Sequence, residues 1–369
     1  MRRRPLLVSL AAAAASPQLR AGGLAPRPLQ FPADFGAHPQ QRIEWWYVTG
    51  HLGAAAATGQ GLGATAEPAQ YGFQITFFRS RTPIDPAHPS RFAASQLLFG
   101  HAALTDLRGK RLLHDQRIAR TGFGLAEFEV ADTRVTLKDW TLARSGPTER
   151  SRYAARADCP GPGFGFALQF DATQAVLPQG DAGWSRKGPQ REQASLYYSQ
   201  PQLAASGTVQ LEGRVQAVAG RAWLDHEWSD SLLDAQAVGW DWIGINLADG
   251  SSLTAFRLRR ADGSALYAGG SFRRPGGQPR SYAANEVRFA PLRHWTSPRS
   301  AARYPVRWEV ETPDGGFLVA PLLDDQELDS RASTGAIYWE GLSELLDSSG
   351  MRIGLGYLEM TGYASALRL

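Results

Sequence analysis

Three titratable side chains stand consecutively in Trp223-Leu224-Asp225-His226-Glu227-Trp228, bracketed by two indoles. Histidine is the natural base near neutral pH. A carboxyl group in apolar surroundings has a raised pKa and keeps a proton it can donate. Indole faces stabilise cations. These are the parts of an acid–base reaction that passes through a cationic intermediate. In a strand, successive side chains alternate between faces. Leu224, His226 and Trp228 therefore share one face, and Trp223, Asp225 and Glu227 the other. For Asp225 and His226 to touch one substrate, a bulge would have to interrupt the strand. The same residues also suit a satisfied polar cluster at a strand end, because structural ion-pair networks use the same side chains.

The elements that must hold this stretch read as strands. Residues 45–52, 71–79, 96–104, 125–137, 164–170, 209–218, 240–247 and 253–258 are rich in aromatic and β-branched residues. Turn clusters such as Ala261-Asp262-Gly263 and Pro313-Asp314-Gly315-Gly316 separate them. Residues 340–346 have room for at most a turn or two of helix, and 54–70 and 83–89 read as loops. Many strands without intervening helices predict an all-β sandwich or barrel. With 369 residues, 43% of them hydrophobic, the chain can build two cores. Its eleven tryptophans suit aromatic-lined barrels.

Motifs recur in order along the chain. Glu44-Trp45-Trp46-Tyr47 is echoed by Trp240-Asp241-Trp242, and each is followed by a strand ending Phe-Arg, at Phe78-Arg79 and Phe256-Arg257. Lys138-Asp139-Trp140 is echoed by Arg293-His294-Trp295, Tyr197-Tyr198 by Tyr338-Trp339, and Trp223-Leu224-Asp225 by Tyr357-Leu358-Glu359. Two copies argue for paired domains and against a solenoid. The boundary falls near Asp234, giving β domains at 26–234 and 235–369.

Arg2, Arg3 and Arg4 precede an apolar run at residues 6–15 and small residues to Gly23. This is the pattern of a signal peptide over residues 1–25, with paired arginines that allow a twin-arginine signal. A periplasmic or secreted protein is expected. The apolar run is too short to span a bilayer.

Several function classes lack their signals. The formal charge is +4, with basic residues scattered, so no nucleic-acid footprint is drawn. Cys159 stands alone, which excludes an internal disulfide and a cysteine-based metal knuckle. There is no Gly-x-Ser-x-Gly elbow, no His-Glu-x-x-His helix and no phosphate-binding glycine loop. A metal site built from His226, Glu227 and a distant histidine is disfavoured, since His38 and His88 sit beside prolines and His114 beside Asp115. No metal or cofactor is expected.

The blocks at Glu44-Trp45-Trp46-Tyr47, Trp223 to Trp228 and Gly239-Trp240-Asp241-Trp242 resemble the AttH/carotenoid 1,2-hydratase family. The resemblance runs from about Pro28 to Leu369. It implies two lipocalin-like antiparallel β-barrel domains, and secreted relatives labelled as hydrolases. For the hydratase branch it implies active-site roles for a histidine and a tryptophan two residues later, matched here by His226 and Trp228. Hydrating an alkene needs a proton donor, a stabiliser for the cation and a base for the water. Trp228 as stabiliser and His226 as base fit, with Asp241 or Glu44 as the carboxylate and Asp225 holding structure. Trp45, Trp46, Tyr47, Trp223, Trp240, Trp242, Tyr338 and Tyr357 are the candidate lining of an apolar site. The expected partner is a hydrophobic small molecule, isoprenoid or lipid-like, with transient contact at a membrane surface. The competing reading is a non-catalytic carrier, since small barrels hold apolar ligands.

Overall fold

The structure, a computed structural model, describes residues 24–55, 69–230 and 233–367. Residues 1–23 of the expected signal peptide, and most of the loop read at 54–70, lie outside the described residues. Alternating burial is plain in strands such as Arg152–Cys159, where every second side chain is buried and the others are exposed. That period of two is what a half-buried strand demands. The described chain is all-β, with helix confined to the short 3-10 turns Ala33–Phe35 and Thr148–Arg150.

Nine strands carry the site. In the first half they are β1 (Ile43–Ala54), β2 (Tyr71–Arg81), β3 (Gln96–Asp106), β4 (Ala194–Leu211) and β5 (Arg214–Ser229). In the second half they are β6 (Gly239–Leu247), β7 (Ser252–Arg259), β8 (Ala336–Leu346) and β9 (Arg352–Met360). The first sheet contains the order β3-β2-β1-β5-β4, and the second β7-β6-β9-β8. In each sheet the tryptophan-rich opening strand pairs antiparallel with the closing one, β1 with β5 and β6 with β9. The first sheet nearly closes into a barrel. A Cβ on Gly100 of β3 would stand 2.8 Å from Leu137 and 3.1 Å from Trp140 at the far end of that sheet, so glycine permits the approach.

The register makes the halves equivalent. Trp45 lies opposite Glu227 and Phe78, as Trp242 lies opposite Glu359 and Phe256. By this register Tyr197 corresponds to Glu340 and Asp225 to Tyr357. The sequence echoes paired Tyr197 with Tyr338 and Trp223 with Tyr357, two residues away in each case. A slip of two keeps every side chain on its face, so the period alone does not distinguish the registers.

Three element readings are corrected. Residues 340–346 belong to strand β8, not to a helical turn. Residues 209–218 are two strands, because Glu212 and Gly213 adopt positive φ and turn the chain between β4 and β5. Residues 125–137 are a hairpin of Ala126–Phe128 and Arg134–Leu137.

Candidate functional site

Strand β5 runs unbulged through the Asp-His-Glu triplet, with Trp46 opposite His226 and Tyr47 opposite Asp225. The irregularity on its other side lies at Gln200/Leu203, beginning one residue beyond Ser199, the partner of Asp225, so the triplet's own pairing with Tyr197, Tyr198 and Ser199 stays regular. His226 and Asp225 therefore face opposite ways. His226 and Trp228 enter the core of the first barrel; Trp223 and Tyr47 join the core between the two sheets.

Inside the barrel, Glu44 is the hub. Its Oε1 accepts from His226 Nε2 at 2.9 Å and from His38 Nδ1 at 2.8 Å, and its Oε2 from Arg79 Nε at 2.8 Å. Burial alone would raise the Glu44 pKa, but the two histidines outweigh it and hold the carboxyl well below its usual range. For His226 burial prevails and lowers the pKa against the pull of Glu44, so the ring is neutral. Burial also opposes charge on His38, yet Asp34 and Glu44 together raise its pKa. With Nε2–H donated to Glu44, the His226 Nδ1 is left as an acceptor for the Tyr198 hydroxyl, 3.1 Å away. Both ring nitrogens are thus engaged. The His38 ring stacks on Trp228 at 3.6 Å between centroids and 8° between planes. His38, Glu44 and His226 lie close enough to resemble a metal triad. However, the buried Arg79 already neutralises Glu44, and a cation there would meet a guanidinium.

The second half repeats part of this arrangement. Asp241, in the place of Glu44, accepts from Arg257 Nε at 2.7 Å and from the Tyr363 hydroxyl at 2.8 Å. The position of His226 is taken there by Leu358. The carboxylate–arginine pair is common to both halves; the histidines belong to the first. Asp241 lies in the second half's own network, not beside His226.

Acids of both sheets meet between the halves. Asp225 accepts from Tyr197 Oη at 2.7 Å, Ser199 Oγ at 2.5 Å and Trp223 Nε1 at 2.7 Å. Burial outweighs these three donors and pushes its pKa up to about 7. Glu227 accepts from Ser195 Oγ and faces Lys187 Nζ at 3.0 Å. On the other sheet, Glu340 and Glu359 stand directly opposite each other on β8 and β9. Like charges in that position repel. Burial, then the charge of Glu359, raises the Glu340 pKa well above the usual range. Glu359 accepts from Trp240 Nε1 at 3.0 Å. Burial, with the charges of Asp225 and Glu227, raises its pKa to about 7.

Around these acids lie buried polar atoms without a hydrogen-bond partner of good geometry: Tyr47 Oη, Thr49 Oγ1, Gln74 Oε1 and Glu340 Oε1. Thr49 and Gln74 are opposite one another on β1 and β2, and the Glu340 carboxyl acts on the Tyr47 phenol. Direct bonds tie the sheets together nearby. His101 Nδ1 meets Tyr338 Oη at 2.8 Å, Thr105 donates to Gln326 at 2.9 Å, and Asn246 donates to Ala222 O at 3.0 Å. Small residues let the sheets approach: a Cβ on Gly72 would stand 2.8 Å from Tyr357 Oη, and one on Gly244 3.2 Å from the Trp223 ring of the other sheet.

The candidate residues thus separate. Glu44, Trp46, His226 and Trp228 meet inside the barrel. Tyr47, Trp223, Asp225, Trp242, Tyr338 and Tyr357 meet between the sheets, with Trp45 and Trp240 partly buried at the margin of that core. Sequence reasoning missed His38, Arg79, Tyr197, Glu340 and Glu359 as site residues. For the two glutamates a signal existed: Tyr338/Glu340 and Tyr357/Glu359 each place an aromatic and an acid on one face of a strand.

The acids set a pH dependence. A carboxyl whose folded pKa is raised binds its proton more tightly in the folded than in the unfolded chain. Its contribution to stability is complete below the unfolded pKa near 4 and is lost as pH rises towards about 7. For Asp225 the expected slope is about 1.4 kcal/mol per pH unit within that window. Urea unfolding between pH 5 and 7 should show stability falling with pH, and Asp225→Asn should flatten the fall. An unchanged slope in the variant would show that Asp225 does not carry the proton.

A family model described as AttH-like matches residues 23–363. The structure of an AttH candidate from Nitrosomonas europaea is 44% identical, with a TM-score of 0.81, covering 92% of this chain and 100% of that one. Kievitone hydratase from Nectria haematococca shares the fold at 13% identity, with a TM-score of 0.66, covering 92% of this chain and 94% of that one. CghA, in a structure with Sch210972, does so at 14% identity and a TM-score of 0.56, again covering 92% and 94%. A search of curated proteins found no match.

Proposed function

The chain belongs to the AttH-like family, and from that premise we propose that it is an acid–base enzyme which adds water to, or removes it from, a carbon–carbon double bond of an apolar isoprenoid or lipid-like substrate. The observation that carries this reading is the opposed pair Glu340 and Glu359, facing Asp225 across the two sheets among indole and phenol rings. Two carboxyls so placed cannot both ionise readily, so one stays protonated at neutral pH.

In the forward direction Glu340 gives its proton to one alkene carbon. The cation formed on the other carbon is stabilised by the faces of Trp223 and Trp242, by up to about 2 kcal/mol each when desolvated. Water attacks that carbon while Glu359 takes the released proton. Transfer of this proton from Glu359 to Glu340 restores the starting state, and the sum is one water added. Tyr47 Oη, Thr49 Oγ1 and protonated Glu340 are donors, and Gln74 Oε1 is an acceptor, so a neutral hydroxyl or carbonyl on the substrate would find partners here. An anionic group would meet four acids. On this reading His226 and Glu44 hold β1 against β5 and leave the proton transfer to the facing sheet.

The test is incubation with a panel of unsaturated isoprenoids and lipid alcohols in heavy-oxygen water, followed by mass spectrometry. Gain of one labelled oxygen by a substrate, lost in Glu340→Gln, is the expected result. A ligand that binds stoichiometrically and is recovered unchanged would instead establish the carrier reading.

A further inference from the structure

We propose that the tip formed by Phe92 and Phe123 is a docking site for an anionic lipid surface. Phe92 is 78% exposed and Phe123 53%, and their rings stack at 5.8 Å and 18°. Neither packs into a core cluster. Two arginines lie against them: the Arg120 guanidinium stands 4.6 Å from the Phe123 ring centroid, and that of Arg91 stands 5.7 Å from it. Arg120 also donates to the carbonyl of Phe92 at 2.8 Å and to that of Arg91, which joins the two loops into one projection.

The backbone points the same way. Phe123 has φ +61° between Gly122 at +88° and Gly124 at +68°. A bulky side chain in the left-handed region is strained, and glycine would sit there freely. The fold thus maintains an unfavourable conformation that presents an aromatic ring to solvent, packed only against Phe92 and two guanidiniums and not into a core. Strain of this kind concentrates at functional positions.

Two rings on a projection, with cations beside them, match a lipid headgroup layer in both polarity and charge. Phenyl rings enter the interface while guanidiniums meet phosphate, the pattern of peripheral membrane anchors. Ile118 and Leu125, each two residues in sequence from Arg120 and Phe123 respectively, are exposed apolar side chains as well. A stable protein partner needs roughly 800 Å² on each side, which two loop tips do not offer. A membrane contact would also suit an apolar substrate, though the docking claim stands independently of the proposed activity.

The test is flotation of the purified protein with vesicles of phosphatidylcholine alone and with added phosphatidylglycerol. The variant Phe92→Ser/Phe123→Gly is measured in parallel, so that any contribution from the apolar N-terminal run is common to both. The unsubstituted protein should float with the anionic vesicles, less so as salt rises. The variant should partition about tenfold more weakly or less. Because glycine relieves the strained φ, Phe123→Gly alone should melt no lower than the unsubstituted protein while binding more weakly, which separates lipid binding from folding. Equal binding by the double variant would overturn the proposal. So would absence of binding to either vesicle, or a concentration-dependent dimer that the variant abolishes.

Discussion

Glu340→Gln is expected to lower turnover by about 10²–10⁴-fold while leaving thermal stability unchanged or slightly raised. The magnitude is that of a positioned general acid. The unusual part is the stability. Burial and the facing Glu359 already keep Glu340 neutral at pH 7. A glutamine has nearly the shape of a protonated glutamic acid, and it removes the repulsion that arises when both carboxyls ionise. Most substitutions of a buried acid destabilise; this one deletes only a transferable proton. Once a substrate is in hand, kcat and a melting curve on the same sample decide the matter. Full activity in Glu340→Gln would remove it from the chemistry. Lost activity together with a collapsed melting temperature would make its role structural.

Glu44→Gln should behave oppositely, costing about 3–5 kcal/mol of stability. Glu44 and Arg79 are both fully buried, and the guanidinium also donates to Gln96 Oε1 and to the carbonyls of His38 and Gln41. The substitution leaves that cation without its charge partner in the barrel, and the single amide oxygen cannot serve both the two imidazoles and Arg79. Urea unfolding of Glu44→Gln, Arg79→Met and the double variant tests this. The double variant should be more stable than Glu44→Gln alone, because it no longer buries an uncompensated charge. If Glu44→Gln costs less than about 1 kcal/mol, water or a neighbouring acid must be neutralising Arg79, and the hub is misassigned.

Why the sequence reading found the fold and only part of the site follows from particular residues. Period-two alternation and glycine-rich turns speak directly of strands, and two antiparallel sheets are what forms. The triplet at Asp225, His226 and Glu227 was visible because its members are consecutive. The acids that face it from the other sheet are not. Glu340 was hidden in a segment read as a helical turn, where its face is undefined. Glu359 stood out only as an echo of Asp225, although the register pairs it with Glu227. His38 looked inert beside Pro39; its character comes from the nearby Glu44 and from stacking on Trp228, a contact that exists only once β1 and β5 are side by side. Face assignment within a strand is local information. Which face of one sheet meets which face of the other is a matter of tertiary packing, and no spacing rule in a single chain supplies it.

The pairing of each opening strand with its closing strand bears on how the molecule is made. Trp45 cannot meet Glu227, nor Trp242 meet Glu359, until nearly the whole of each half has been synthesised. Contacts so distant in sequence are entropically late and slow the search for the native state. During that interval β1 and β6 present unpaired edges rich in tryptophan, the kind of surface on which chains associate wrongly. A chain ending before Arg352 would leave β6 and β8 without β9 between them, and would never bring Glu359 into place. The acid pair is thus among the last things the ribosome's product can assemble, and its presence certifies that the fold has been completed.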